Sequence, residues 1–279
     1  MNPEGGRSPP RGVVEMLKTF RLWKKFAVAR IAEDFQYAED FFLGIFALVL
    51  TNVIGVLFYW VIMQNIPNIN GWTLEELLFL YALEVFAWGV WNTFLKGTVP
   101  WRVEEAVRSG SLDRVLVQPM KPIKYMMIST FDTHGFGDLL SGIALLAISM
   151  PIVSVVWSVE KLFALAIFLL SGSLIIYSIF LAIATLAFWT TRIGPITEIV
   201  WITGNFTNYP LEIFNKYIKA FLTFIMPLAF VNYFPAAAIL GKGIWPQLQY
   251  LSPLVAIISF AVAYSFWKFG LKHYSSTGS

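Results

Sequence analysis

The chain has 279 residues, of which 57% are hydrophobic and only 13% charged, with a net charge of +3 and no cysteine. A water-soluble domain carries about 25% charged residues, so this composition excludes a fold whose whole surface faces water. It also excludes disulfides, thiolate chemistry and cysteine-ligated zinc.

At roughly 20 residues per span, the length suits about six helical spans and their loops. A β-barrel would show alternating polar and apolar segments of about 10 residues. Residues 42–63 and 162–189 are instead nearly unbroken apolar runs. The expected class is therefore all-α, a polytopic membrane protein with six transmembrane helices. Residues 1–12 are rich in Pro and Gly and read as unstructured, without the apolar core of a signal peptide. From Met16 the apolar residues recur at helical spacing, at Phe20, Trp23, Ala27, Ile31 and Phe35. Lys18, Arg21, Lys24, Lys25 and Arg30 lie between them. This pattern predicts a basic amphipathic interfacial helix whose charged face is drawn to anionic membrane lipid. A solvated face packed on another subunit is compatible with it. Glu33, Asp34, Glu39 and Asp40 follow, and are expected at the start of span one.

Span one is expected at 41–63 and span two at 74–95, joined by a turn-rich loop without Lys or Arg. A charged loop covers 96–124. Span three follows at 131–156, a short turn at 158–161, span four at 162–189, and a turn with Arg192 at 190–195. The last span is expected at 251–269. Sixteen of the twenty Lys and Arg residues fall on one side of this arrangement. The positive-inside rule then places both termini in the cytoplasm and makes the span count even. The division is a cytoplasmic tail and amphipathic helix at 1–40, a six-span domain at 41–269 in the cell membrane, and a cytoplasmic tail at 270–279.

Residues 196–240 fit two arrangements. In the preferred one, span five covers about 196–209 and residues 211–240 are re-entrant helices before the last span. In the other, span five is 218–240, which would bring Lys216 and Lys219 inside. Pro227 and Pro235 argue against an uninterrupted helix there. Irregular backbone at membrane depth needs protein or water around it. No internal repeat supports an inverted-repeat carrier.

Enzyme signatures are sparse. Gly241-Lys242 lacks the upstream glycine and following Ser/Thr of a P-loop, so ATP is not held that way. Asp132, His134 and Asp138 cluster near the start of span three. On a helix the first two would diverge, so a polar helix start is the plainer reading than a metal site. His273 reads as solvated. Asn205-Phe206-Thr207 matches a glycosylation sequon by coincidence. No catalytic, cofactor-binding or metal residue is assigned, and no nucleic-acid partner is expected.

Two carboxylates in apolar surroundings carry more information. Glu84 lies near the middle of span two, where a charge costs about 2.5–3.5 kcal/mol on insertion scales. Tyr81, Glu84, Trp88 and Trp91 fall on one helix face. Glu198, Trp201, Asn205 and Asn208 form a similar stripe. Together they are the candidate translocation path, since a carboxylate beside aromatic rings can hold an organic cation. Hydrogen bonds that merely hold the bundle or a dimer together are the plainer alternative.

The loop at 96–124 is too charged and too structured for a tether. Pro100 can open a short helix with Glu104 and Glu105 in its early turns, and Gly110 can end it. Ser111-Leu112-Asp113 suits a second start. Such an amphipathic element between two spans fits docking of another protein.

Here the sequence resembles the six-span permease subunits of type-two ABC exporters. The resemblance rests on Gly110-Ser111-Leu112-Asp113 followed by Leu116-Val117-Gln118-Pro119, on the stretch 208–236 with Pro227 and Pro235, and on the ending 266–279. It implies that two permeases pair, as a homodimer or with a related chain, and that each docks an ABC ATP-binding subunit. This chain would then have no cofactor of its own, with ATP and Mg on the partner ATPase. The loop after span two would be the coupling element, carried here by Trp101, Arg102, Glu104, Glu105, Arg108, Gly110, Leu112, Asp113 and Arg114. The segment holding Pro227 and Pro235 would form an outer gate. An ATP-independent carrier or channel is the alternative, and a membrane-embedded enzyme is a third reading.

Overall fold

A computed structural model describes residues 11–36, 38–130, 132–190 and 192–275, and its regular elements are helices. Among the described residues, five helices or near-continuous runs of helical turns are long and apolar enough to cross a membrane: 38–63, 74–108, 133–152, 159–188 and 252–273. In chain order, α1 is Arg11–Gln36, α2 Ala38–Met63 and α3 Leu74–Val90. The helices α4 Pro100–Arg108, α5 Leu112–Leu116 and α6 Pro122–Ile128 are short. Two long ones follow, α7 Phe136–Ile152 and α8 Val159–Thr185. Then come α9 Gly194–Gly204, α10 Lys216–Ala220, α11 Tyr233–Leu240 and α12 Ser252–His273.

The core is built on α3 and α8. Of the most apolar stretch of α3, 67% is buried, against 6% for α2. α3 packs chiefly on α7, and α12 on α8. Small residues let α3 and α7 approach backbone to backbone. A Cβ on Gly89 would stand 2.5 Å from the Leu139 nitrogen, and one on Gly142 would stand 2.6 Å from the Phe86 Cα. α2 leaves Phe42, Phe46, Ile54, Leu57 and Trp60 exposed, as a helix facing lipid would.

Local chemistry sets several boundaries. The loop after α2 turns at Asn70 and Gly71, both with positive φ, and is closed by Ile69–Trp72 pairing. Glu76 accepts from the Thr73 backbone N–H at 2.9 Å, holding the first turn of α3. The same Glu76 oxygen takes Lys242 Nζ at 2.5 Å. That ammonium also reaches the Gly71 carbonyl at 2.6 Å and lies over the Trp72 ring. The loop before α3 is thus tied to the turn after α11.

Several expected boundaries move. α1 begins at Arg11, inside the stretch expected to be unstructured; residues 1–10 lie outside the described residues. Glu33 belongs to the end of α1, paired with Arg30 at 3.0 Å, while Glu39 and Asp40 do open α2. Asp34 also falls within α1 rather than at the start of the next helix. Residues 122–128, of which 122–124 were expected in the loop and the rest in no element, form a helix of their own because Pro122 opens it. α7 starts at Phe136 after a 3₁₀ turn at 133–135, not at 131. It stops at Ile152 rather than 156, one residue past Pro151, where Val153 turns to extended geometry. α8 starts at Val159 rather than 162, because the Ser158 side chain caps it by accepting from the Lys161 N–H. α12 runs four residues past 269, to His273, whose ring nitrogen lies 2.9 Å from the Phe269 carbonyl.

Between 196 and 240 the uninterrupted helix of the second arrangement is absent. α10 passes into a π-helical turn at 221–225, Met226 is extended, and Pro227 precedes a single 3₁₀ turn. Pro235 lies in the first turn of α11, where its missing N–H costs nothing. Residues 228–239 are nevertheless buried throughout, against α3 and α8.

The α3–α7 crossing gives a direct test. Gly89→Leu should push the helices apart and lower the unfolding temperature of the detergent-purified protein by several degrees, as overpacking costs about 1–3 kcal/mol. Fluorescence-detected unfolding measures it, with Gly194→Ala, at an open position, as the neutral control.

Candidate functional site

The polar residues inside the bundle gather in two linked groups. In the first, the Thr207 hydroxyl donates to Glu84 Oε1 at 2.6 Å, joining the middle of α3 to the 3₁₀ turn at 205–208 that ends α9. The fully buried Asn232, just before α11, donates to the Thr207 carbonyl at 2.7 Å. Glu84 Oε2 is buried and finds no hydrogen-bond partner among the described residues.

In the second group, Asp138 on α7 accepts from Asn52 of α2 at 2.9 Å and from Asn92 at 2.7 Å. The Tyr81 hydroxyl donates to Asn52 Oδ1 at 3.2 Å. Hydrogen bonding of this kind lets a carboxyl group stay inside a helical bundle. A cavity of about 290 Å³ lies between the two groups. Its walls include Asn52 from α2, Tyr81, Glu84 and Trp88 from α3, Asp138 from α7, and Trp201, Asn205 and Asn208 from the α9 region. Trp88 and Trp201 meet edge to face, 5.0 Å between centroids.

A second site lies beyond the C-terminal end of α3. A π-helical turn at 91–95 and a 3₁₀ turn at 96–98 carry the chain into Val99, and Pro100 opens α4. Gly110, at φ +68°, provides the left-handed turn into α5. Val103, Val107 and Leu112 are buried, while Trp101, Arg102, Glu105 and Arg108 face outward. Glu105 pairs with Arg108. Glu104 turns inward, and its carboxylate accepts from the Ile193 N–H at 3.0 Å, next to the first residue of α9. A cleft of about 510 Å³ runs between α4, α5 and α6, lined in part by Trp101, Arg102, Glu105 and Tyr125.

The family model described as ABC-2 family transporter protein matches residues 48–278. The chain belongs to the ABC-2 transporter family. No curated relative matches it significantly.

For this ABC-2 membrane component, six of the eight residues expected on the path line the cavity: Tyr81, Glu84, Trp88, Trp201, Asn205 and Asn208. Trp91 is fully buried behind it, against Phe180 and Trp201. Glu198 is exposed on α9 and does not line the cavity. Of the residues expected in a coupling element, Leu112 is buried in the core and Glu104 is committed to Ile193. Asp113 is half-buried and Arg114 exposed.

The cluster of Asp132, His134 and Asp138 divides. Asp138 faces Asn52 and Asn92. Asp132 pairs with Lys96 at 2.8 Å and lies 3.3 Å from the His134 ring nitrogen. Asp132 and His134 were expected to diverge on a helix. They meet instead because Asp132 is extended and caps the 3₁₀ turn, accepting from the His134 N–H. Burial pushes the Asp132 carboxyl up, but Lys96 and His134 outweigh it and hold it below its ordinary value. Among the described residues no group of three or more His, Asp or Glu could hold a metal.

Asn52, Asn92, Asp138, Thr207 and Asn232 complete the site, and sequence reasoning assigned none of them to it. Thr207 carried only a sequon pattern. Asn52 is the one legible signal, a lone amide in the apolar run of α2. Thr207→Val keeps the shape of the side chain but removes the donor to Glu84. It should lower unfolding stability by about 0.6–1.7 kcal/mol, while Thr207→Ser stays close to wild type. Chemical unfolding of the purified chain in detergent measures both.

Proposed function

We propose that this chain is the permease subunit of an ATP-driven ABC exporter in the cell membrane. In this reading it pairs with a second permease and docks separate ATP-binding subunits, which carry the ATP and Mg. The observation that carries the proposal is the α4–α5 element. It packs Val103, Val107 and Leu112 inward and turns Trp101, Arg102, Glu105 and Arg108 outward, beyond the C-terminal end of α3. A solvated connector would have no need of a buried Leu112 or of an inward Glu104 carboxylate bonded to Ile193.

The sequence supplies no P-loop, so the energy source is assigned to a partner. The excess of Lys and Arg in the N-terminal segment and in 96–124 puts that end in the cytoplasm, together with both termini. Arg21, Lys24 and Lys25 of α1, all exposed, then face the headgroups. The sixth span is assigned to α9 with its 3₁₀ extension. The broken stretch 211–240, with Pro227 and Pro235, is assigned to the outer side as a gate.

The mechanism follows from the placement of α9. One end adjoins Ile193, held by Glu104 of the coupling element. The other holds Thr207, bonded to Glu84 at the cavity. Closure of the ATPases would move α4, α4 would move α9 through Glu104, and α9 would reshape the Glu84 wall. ATP can shift this equilibrium only through contacts that differ between the two states, and the Glu104–Ile193 contact is where we place one.

The test is copurification followed by turnover in proteoliposomes. The wild-type chain should bring down an ABC ATPase and transport should be sensitive to vanadate. Glu104→Ala should retain the complex but lose most substrate-stimulated ATP hydrolysis. Glu105→Arg and Asp113→Arg should weaken coupling as well. Transport without any associated ATPase and indifferent to vanadate would instead establish an ATP-independent carrier or channel.

A further inference from the structure

We propose that the cavity at Glu84 recognises a small organic cation, an inference that rests on the transporter reading and names the substrate class. Two carboxylates from different helices, Glu84 of α3 and Asp138 of α7, line one cavity of about 290 Å³. No Lys, Arg or His is among the residues lining it. Lys96, the basic residue at the end of the π-helical turn following α3, is engaged by Asp132 at 2.8 Å. The two acidic groups therefore face the cavity without a basic counter-group in its walls.

The hydrogen bonding leaves one position open. Asn52 and Asn92 each serve one oxygen of Asp138, and Thr207 serves Glu84 Oε1. Glu84 is only 5% exposed, and its Oε2 is without a partner among the described residues. An unmatched buried carboxylate oxygen is costly, and a ligand carrying positive charge relieves that cost. Trp88 and Trp201, meeting edge to face, add the aromatic surface that favours a desolvated cation.

The same walls argue against other ligands. A metal ion would need several free oxygens, whereas three of the four carboxylate oxygens are already hydrogen-bonded. A neutral saccharide could use the amides and the rings but would leave two acidic groups without an opposing charge. A purely apolar ligand would strand Glu84 and Asn205 in a dry pocket.

The test uses the full chain in lipid nanodiscs and equilibrium dialysis with radiolabelled benzyltrimethylammonium. Binding should saturate, and its uncharged carbon isostere, neopentylbenzene, and sucrose should fail to displace the probe. Glu84→Gln retains an acceptor for Thr207 and should bind about tenfold more weakly or worse. Trp201→Leu, on the more exposed wall, should also weaken binding, and it keeps the proposal testable if the Glu84 variant does not fold. Glu160→Gln, outside the cavity, should bind as wild type. Displacement by neopentylbenzene or sucrose, or undiminished binding in both Glu84→Gln and Trp201→Leu, would overturn the proposal. Dialysis needs no ATPase. Cation binding by a chain that recruits none would defeat the exporter reading alone, and an ATPase-coupled transporter that does not bind the probe would defeat only the cation site.

Discussion

A carboxyl group placed in the middle of an apolar bundle must find partners, and much of this structure answers to Glu84. Its partner Thr207 does not lie on a neighbouring long helix. It lies on the irregular turn where α9 ends, and Asn232 takes the carbonyl of that same residue. Three elements far apart in sequence, α3, the end of α9 and the start of α11, are thereby fixed at one place. Such bonds average only about 0.6 kcal/mol between membrane helices. Their role is positional more than energetic, because they choose one register among several apolar packings of similar energy. The Asp138 group does the same for α2, α3 and α7, with one carboxylate holding amides from two elements.

These contacts bear on the two interpretations of the intramembrane carboxylates. As hydrogen bonds between elements they fit a purely structural role. A purely structural group, however, would be expected to satisfy both Glu84 oxygens, and Oε2 is left without a hydrogen-bond partner in a residue that lines the cavity. A role in holding the bundle and a role in binding are compatible. A ligand that engages Glu84 must then act on the Thr207 contact, and so on α9.

The long helices were legible because a bilayer demands runs of about 20 apolar residues, a signal that outweighs local propensity. α2, α8 and α12 follow from that demand to within a few residues. The helix α4 was legible for a different reason. Pro100 and Gly110 impose backbone geometry whatever surrounds them, so α4 begins and ends where those residues dictate. The start of α7 was not legible. Asp132 can serve equally as a helical residue or as a cap, and only the position of Lys96, 36 residues earlier, favours the cap. Thr207 and Asn232 were hidden because their value lies in partners 123 and 25 residues away, which no local pattern encodes. Glu198 misled because helical spacing groups residues onto a stripe without saying which way that stripe faces.

The stretch after α8 is where the demands of a bilayer and the sequence conflict most. α9 has 11 residues and its 3₁₀ extension four, together about 24 Å, against a hydrocarbon core of about 30 Å. A helix that stops short exposes carbonyls that neither lipid nor the next turn can satisfy. Here two of them are met by side chains. Asn232 donates to the Thr207 carbonyl, and the Tyr59 hydroxyl of α2 donates to that of Asn208. Pro210 then turns the chain away without a donor to satisfy. The irregular segment that follows keeps residues 228–239 buried against α3 and α8, where its backbone is covered by protein. The short helix therefore ends on side-chain caps. Because its caps come from α2 and α11, any movement of α9 must break or carry along contacts on both sides of the cavity.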